Sequence, residues 1–381
     1  MIYILIVIVN LIFGLATASN RVIGFFSLLG LGWLIASDYV ETNGDYYNYL
    51  WAYNNVDSGI TPFEKGYTQL ELLAFHHGLS YVDFRWCFTF TTVIILFFAI
   101  TRFTSNVSLF VALFSLTVFF TDGTQIRNLM MISLVMLAAS FLKQLSAFNV
   151  VVFLLLVYLS TQIHSSGYSF FAILLLRVIP YYNFKKLAAV AFAVVLFISV
   201  SLKIFGSNIL YQLLVKMFGG VVQRVNFLTK LQSYTDGTSL YTVLLIWVTI
   251  AATTGMAFLI YKLLRDFNSD EVMLKAKILF SGMSMSLVSM PLIVLAPDYS
   301  RISRNATLFL FALVALYFEV THREHQLNSS SVFKITKTKI LVFLVIILVP
   351  FTYIHNSIWG PTFLNSIPYT IKLKSPYLYS N

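Results

Sequence analysis

Asp45-Tyr46-Tyr47-Asn48-Tyr49, with Trp51 and Tyr53 following, and Phe63-Glu64-Lys65-Gly66-Tyr67 set carboxylates beside aromatic rings within a short stretch. That mixture suits a sugar, whose CH faces stack on rings and whose hydroxyls bond carboxylates and amides. Asp45, Tyr49, Glu64 and Tyr67 are therefore candidates for binding a substrate. The tyrosines fit an aromatic belt at a membrane interface as well. Further along, Thr121-Asp122-Gly123-Thr124-Gln125-Ile126-Arg127-Asn128 puts an arginine at the mouth of an apolar helix. A guanidinium is a planar, permanently charged fork that matches a phosphate. The structural alternative is an Asp122–Arg127 ion pair capping a helix junction.

Two more clusters carry chemistry. Gln162-Ile163-His164-Ser165-Ser166-Gly167 is a tight turn between apolar runs. His164 there can take a proton near neutral pH, or be a satisfied interfacial residue. Asp298-Tyr299-Ser300-Arg301-Ile302-Ser303-Arg304-Asn305 opens a helix. Arg301 and Arg304 are spaced to face one way, and a helix N-terminus already favours anions. An arginine entering a membrane span costs roughly 2.5–3.5 kcal/mol at its centre, less near the interface, which argues for a purpose. Arg224, in the amphipathic stretch 205–238 with Lys216, Lys230 and Gly219-Gly220, could reach a lipid phosphate or simply meet anionic headgroups. No metal-binding spacing stands out, and the adjacent His76 and His77 do not share a helical face. No phosphate-cradling glycine loop, nucleophile elbow or cofactor motif is present.

The elements that must hold these residues are hydrophobic helices. Of 381 residues 59% are hydrophobic and 10% charged, too little charge to cover a water-facing surface of this size. Apolar runs fall at roughly 2–18, 21–37, 86–101, 107–121, 127–143, 148–162, 166–180, 187–204, 239–263, 276–296, 303–320 and 339–356. The expectation is an all-α, polytopic transmembrane bundle of about 12 helices (10–12), forming one integral membrane domain over 1–381. Amphipathic segments at about 40–85 and 205–238 lie outside the bilayer. The first run lacks a basic flank and reads as a membrane helix rather than a cleaved signal. Cys87 sits in an apolar run and reads as a small core residue; a lone cysteine excludes an internal disulfide.

Alternate loops sort by charge. Arg21, Arg102, Lys143, Lys185-Lys186, the stretch 262–277 and the stretch 323–339 form one basic set. Segment 38–85 in the other set carries seven acids against two bases. Short basic loops stay in the cytoplasm, so the clusters above fall on the external side. The net charge of +10 follows from these loops and does not point to nucleic acid.

Taken in order, the motifs resemble a known family. D-x-x-x-Y (Asp45 to Tyr49), E-x-G-Y (Glu64 to Tyr67), an arginine opening a middle helix (Arg127), H-S-S (His164 to Ser166) and R-x-x-R (Arg301, Arg304) are similar to the EpsG-like branch of bacterial Wzy-type polysaccharide repeat-unit polymerases. The family often has R-x-G-x-A where this chain reads Arg127-Asn128-Leu129-Met130-Met131. The resemblance implies a metal-independent glycosyltransferase in the bacterial cytoplasmic membrane, active on its outer side. Its substrates would be oligosaccharides on undecaprenyl diphosphate, with a flippase and a chain-length regulator as partners. Arg301, Arg304 and Arg127 would stabilise the leaving diphosphate, with Arg224 and Asp122 near it. His164 would be the base or orient the acceptor. Asp45, Tyr49, Glu64 and Tyr67 would hold sugar. An O-antigen ligase, a lipid-linked oligosaccharide flippase and a membrane acyltransferase are the competing readings.

Overall fold

The computed structural model describes residues 2–38, 44–59, 61–179, 239–294 and 296–327, with scattered positions between 186 and 201 and residue 367. The chain is all-helical, 85% helix with no strand among these residues. In order they form α1 (Ile2–Ala16), α2 (Arg21–Ala36), α3 (Gly44–Asn54), α4 (Lys65–His76), α5 (Tyr81–Thr101), α6 (Val107–Leu116), α7 (Phe119–Thr124), α8 (Ile126–Phe141), α9 (Ala147–Ile163), α10 (Ala172–Val178), α11 (Leu240–Arg265), α12 (Asp270–Ser284), α13 (Ser286–Ile293) and α14 (Ser300–Leu327). Short 3-10 turns follow α3 and α9 and precede α14.

Four stretches are long and apolar enough to cross a membrane: α5, α11, α12 with α13, and α14 with its leading turn. Six shorter apolar helical stretches accompany them, at Ile2–Ala16, Arg21–Ala36, Val107–Leu116, Ile126–Phe141, Ala147–Ile163 and Ser165–Val178. These ten match ten of the expected runs. The runs at 187–204, largely, and 339–356 lie outside the described residues, as do segment 205–238 and Arg224.

Local signals explain the helix starts. Ser80 and Asp83 form a reciprocal capping box on α5: the Ser80 hydroxyl accepts from the Asp83 N–H at 3.2 Å, and Asp83 accepts from the Ser80 N–H at 3.1 Å. Asn106, Ser146, Ser239 and Ser269 cap α6, α9, α11 and α12 in the simpler way. One expected run is broken. The backbone leaves the helical region at Thr117 (φ −118°, ψ −83°) and at Gln125 (φ −103°, ψ 62°). The break at Gln125 thus leaves Asp122 on the short α7 and Arg127 on α8, and the two side chains take different partners. The run expected at 166–180 likewise opens as a 3-10 turn, Ser165–Phe171, before α10.

Helix α14 is the hub, with 89% of its spanning window buried inside the protein. It packs against α6, α8, α11, α12 and α13. Glycines permit the closest approaches. A Cβ at Gly282 would sit 2.3–2.6 Å from the Phe309 ring, and one at Gly14 would sit 2.7 Å from the Leu109 backbone. Leu5, Phe26, Phe98, Phe148 and Val151 lie exposed on outer helices, as a lipid-facing surface requires. Cys87 is exposed too, so the core position expected for it is corrected. Its helix α5 buries Phe84, Phe88 and Arg85 on another face.

The two ends of the bundle differ. At one end basic side chains cap carbonyls: Lys143 donates to Arg102 O at 2.9 Å, and Arg177 to Leu142 O at 2.9 Å. Glu319 accepts there from the Thr104 hydroxyl at 2.8 Å and the Ser105 N–H at 2.7 Å. At the other end α3 and α4 form a layer over the start of α5, the start of α8 and the end of α9.

Candidate functional site

Arg127 opens α8 and is buried, its side chain 7% exposed. Its guanidinium lies 3.9 Å from the Phe63 ring centre, 5.3 Å from Tyr67 and 5.6 Å from Tyr49. A cation over aromatic faces gains most when water is excluded. The fork also donates from Nη1 to Glu64 Oε2. The Arg127 partner is therefore Glu64 from before α4, not Asp122 as the helix-capping alternative has it. Glu64 Oε1 accepts the Ser165 backbone N–H at 2.9 Å, tying segment 61–76 to the histidine turn. Gly66 makes the approach possible, since a Cβ there would sit 2.6 Å from Gln162 Cβ and 2.9 Å from its carbonyl oxygen.

Tyr49 and Tyr67 thus wall the arginine. Both are buried, 5% and 0% exposed, and their faces are taken within the protein. The rings of that segment offered to the outside are Tyr47 and Trp51, 58% and 43% exposed. Burial raises the Tyr49 phenol above its ordinary value; Arg127 opposes this, Asp45 reinforces it and Arg301 opposes it. Asp45 and Arg301 are hence close enough to act on Tyr49, so α3 and the start of α14 converge on the Arg127 cage.

Arg304 occupies a second node. Its Nε donates to Asp122 Oδ1 at 2.7 Å and its Nη2 to Gln125 Oε1 at 2.5 Å. Asn128 and Asn305 exchange amide hydrogen bonds at 2.7 and 2.8 Å, both buried, locking α8 to α14. Arg301, one turn earlier, is less engaged: it meets Asp298 at 3.5 Å and its side chain is 31% exposed. The two arginines share a helix face region but differ in occupation. Arg304 is held by two side chains, while Arg301 shows a single longer ion pair among the described residues.

His164 caps α9 in an extended conformation (φ −153°, ψ 128°). Its Nδ1 accepts the Ser166 N–H at 3.2 Å and lies 2.9 Å from the Ser166 hydroxyl. A backbone N–H can only donate, so Nδ1 is the acceptor and a neutral ring carries its proton on Nε2. In that tautomer the ring presents a donor, which suits orienting an oxygen better than removing its proton.

A second buried arginine belongs to none of the sequence motifs. Arg85 is fully buried and donates to Ile35 O at 3.0 Å and Asp38 Oδ2 at 3.1 Å, with its guanidinium 5.0 Å from the Tyr46 ring centre. It joins the end of α2, α3 and α5 into one support. Gln125, Asn128 and Asn305 likewise carry no sequence signal of their own. Their neighbours Asp122, Arg127 and Arg304 were the available signal.

The nine described candidates all lie at one end of the bundle. Arg127 with Glu64, Tyr49 and Tyr67, and Arg304 with Asp122, are joined by direct contact; His164 is joined through Ser165, while Asp45 and Arg301 both act electrostatically on Tyr49. No metal-holding group of three or more His, Cys, Asp or Glu occurs among the described residues. Neither a curated protein nor a solved structure matches the chain. The EpsG family model matches residues 21–371, and on that match the chain belongs to the EpsG family, membrane proteins with a polymerase-type role in polysaccharide biosynthesis.

Proposed function

We propose that the protein joins oligosaccharide repeat units carried on undecaprenyl diphosphate, at the outer face of the bacterial cytoplasmic membrane. The observation carrying this reading is the convergence of Arg127, Arg301 and Arg304 with carboxylates, His164 and exposed aromatic rings at one end of the bundle. Family membership supports the polymerase class. The acidic segment 38–85 and the basic loops at the opposite end support the outward orientation.

The chemistry runs as follows. A hydroxyl oxygen of the acceptor sugar attacks the anomeric carbon of the donor glycan. The bond from that carbon to the diphosphate oxygen breaks, and undecaprenyl diphosphate leaves with the electron pair. Negative charge grows on the leaving group, and fixed guanidinium groups stabilise it there more than in the ground state. Arg301 is the most available for this role, with Arg304 and Arg127 set behind it by their carboxylate partners. His164 orients the acceptor through Nε2–H, and Asp45 or Glu64 takes the hydroxyl proton. Tyr47 and Trp51 offer sugar-stacking faces. A flippase would supply the lipid-linked units, and a chain-length regulator would act on the product.

The test is a gene deletion followed by electrophoresis of the surface glycan. Loss of the long-chain ladder with single-unit product retained supports the proposal. Loss of all capped lipid favours a ligase or flippase instead. Arg301→Ala, Arg304→Ala and His164→Ala, expressed at wild-type level, should each fail to restore the ladder, with an activity loss of about 10²–10³ for a charge-stabilising arginine. Full restoration by Arg301→Ala would overturn its assignment.

A further inference from the structure

Glu71 sits on α4, fully buried, and neither carboxyl oxygen has a hydrogen-bond partner among the described residues. Tyr67, one turn earlier on the same helix, places its buried hydroxyl near this carboxyl without closing a hydrogen bond of ordinary geometry, and Arg127 has an unpartnered buried Nε. Burial on this scale without partners is uncommon and marks groups with another use. The three are electrostatic neighbours, since Arg127 and Tyr67 both act on the ionisation of Glu71. Arg127 meanwhile spends Nη1 on Glu64, the carboxylate that also accepts from Ser165.

We propose that Glu71 is the second carboxyl partner of Arg127, a positioning residue that takes the guanidinium when Glu64 turns away toward substrate. The orphaned Nε supplies a donor and the orphaned carboxyl supplies acceptors, so exchange leaves Arg127 charged and paired throughout. Glu64 is then released to accept the proton of an acceptor hydroxyl. Two protons move in the exchange: Glu71 releases its own to solvent as it takes the arginine, and Glu64 gains one from the acceptor hydroxyl.

The protonation state fits this order. Burial pushes the Glu71 carboxyl from 4.5 up to about 8, against the lowering effects of Arg127 and Tyr67, so at neutral pH it is mostly neutral and leaves Arg127 to Glu64. The titratable groups around Glu71, Tyr67 and Tyr53 come from three neighbouring elements. Arg127 comes from α8, Tyr49 and Tyr53 from α3, and Tyr81 and Asp83 from α5. Asp57, in the turn beside α4, is paired with His76 at 3.0 Å. Helix α9 carries no charged side chain and ends at His164.

The proposal rests on the site described above, but its first test reads stability and is independent of any glycan. Because the folded carboxyl holds its proton more tightly than the unfolded one, wild-type stability falls as pH climbs from the ordinary carboxyl range through about 8. Glu64→Gln should behave in the opposite sense relative to wild type. With Arg127 deprived of its first anion, ionised Glu71 becomes its partner, so the Tm gap to wild type should narrow by about 4 °C or more between about pH 6 and pH 9. Glu64→Gln/Glu71→Gln should show no narrowing. Parallel Tm curves for the single and double variants would overturn the exchange. Should Glu64→Gln fail to fold, the infrared carboxylic-acid band of the wild-type protein decides: its absence at neutral pH, or its persistence in Glu71→Gln, overturns the proposal. The second test is the ladder. Glu71→Gln should fold at wild-type level yet lose the longest chains, and an unchanged ladder would count against the positioning role. Were the deletion strain to keep its ladder, the polymerase reading would fall while the Tm result stood.

Discussion

A guanidinium packed among three rings and tied to one carboxylate is a strong local anchor, and its partner is chosen by the fold. Arg127 and Asp122 are neighbours in the sequence, yet Arg127 joins Glu64 and Asp122 joins Arg304. The residue types were legible; the pairing was not, because the partners lie 63 and 182 positions apart and only tertiary packing brings them together. Glu71 illustrates the limit further: as one of seven acids in its segment it carried no signal until its burial was known. The Asp122–Arg304 pair yields a prediction. Asp122 is fully buried and the Arg304 side chain 12% exposed, so Asp122→Asn should leave a buried cation without its anion and cost about 3–5 kcal/mol. Asp122→Asn/Arg304→Gln should cost less than the sum of the single changes, with a coupling of about 0.5–3 kcal/mol. Thermal unfolding in detergent reads both, and strict additivity would mean the pair is not coupled.

The helices themselves were legible to differing degrees. Helices α5, α11 and α14 were plain as long apolar runs. The break at Thr117 was not, since Thr117 is an ordinary residue in a hydrophobic stretch and its conformation answers to packing, whereas the break at Gln125 falls in the turn expected between the runs 107–121 and 127–143. Cys87 was misjudged for a related reason: an apolar run in a membrane protein has no polar face to mark its outside. Glycine contacts give a prediction for these elements. Gly282→Ala would push a methyl into Phe309 and Gly66→Ala would push one into Gln162, so each should destabilise by about 1–3 kcal/mol. Gly255 has no atom within 4 Å of a built Cβ. Gly255→Ala should therefore be neutral or stabilise α11 by up to about 1 kcal/mol. Gly66→Ala should also shorten the glycan ladder, by moving Glu64 off Ser165, whereas Gly255→Ala should not.

At the scale of the molecule, one end collects guanidinium and aromatic groups while the other end caps carbonyls with lysine and arginine. The loop-charge asymmetry made this separation readable from the sequence, and the proposed orientation can be tested directly. In a Cys87→Ser background, Ser58→Cys should react with a membrane-impermeant maleimide on intact cells, because Ser58 is exposed in the layer over the acidic end. Asp266→Cys, exposed in the loop between α11 and α12, should react only after the membrane is opened. The reverse pattern would turn the proposed active face inward.

The deep burial of α14 has a consequence for how the protein is made. With 89% of its spanning window covered by other helices, α14 has little surface left for lipid, and it carries Arg301, Arg304, Asn305 and Glu319. Synthesised after the other described helices, it enters a site whose walls are supplied by helices made before it. Until it does, the inner walls of α6, α8, α11, α12 and α13 face an unfilled centre. A nascent chain halted before Ser300 should therefore be a ready substrate for membrane proteases and chaperones. Insertion of this one helix joins the described helices and, in the same movement, delivers Arg304 to Asp122.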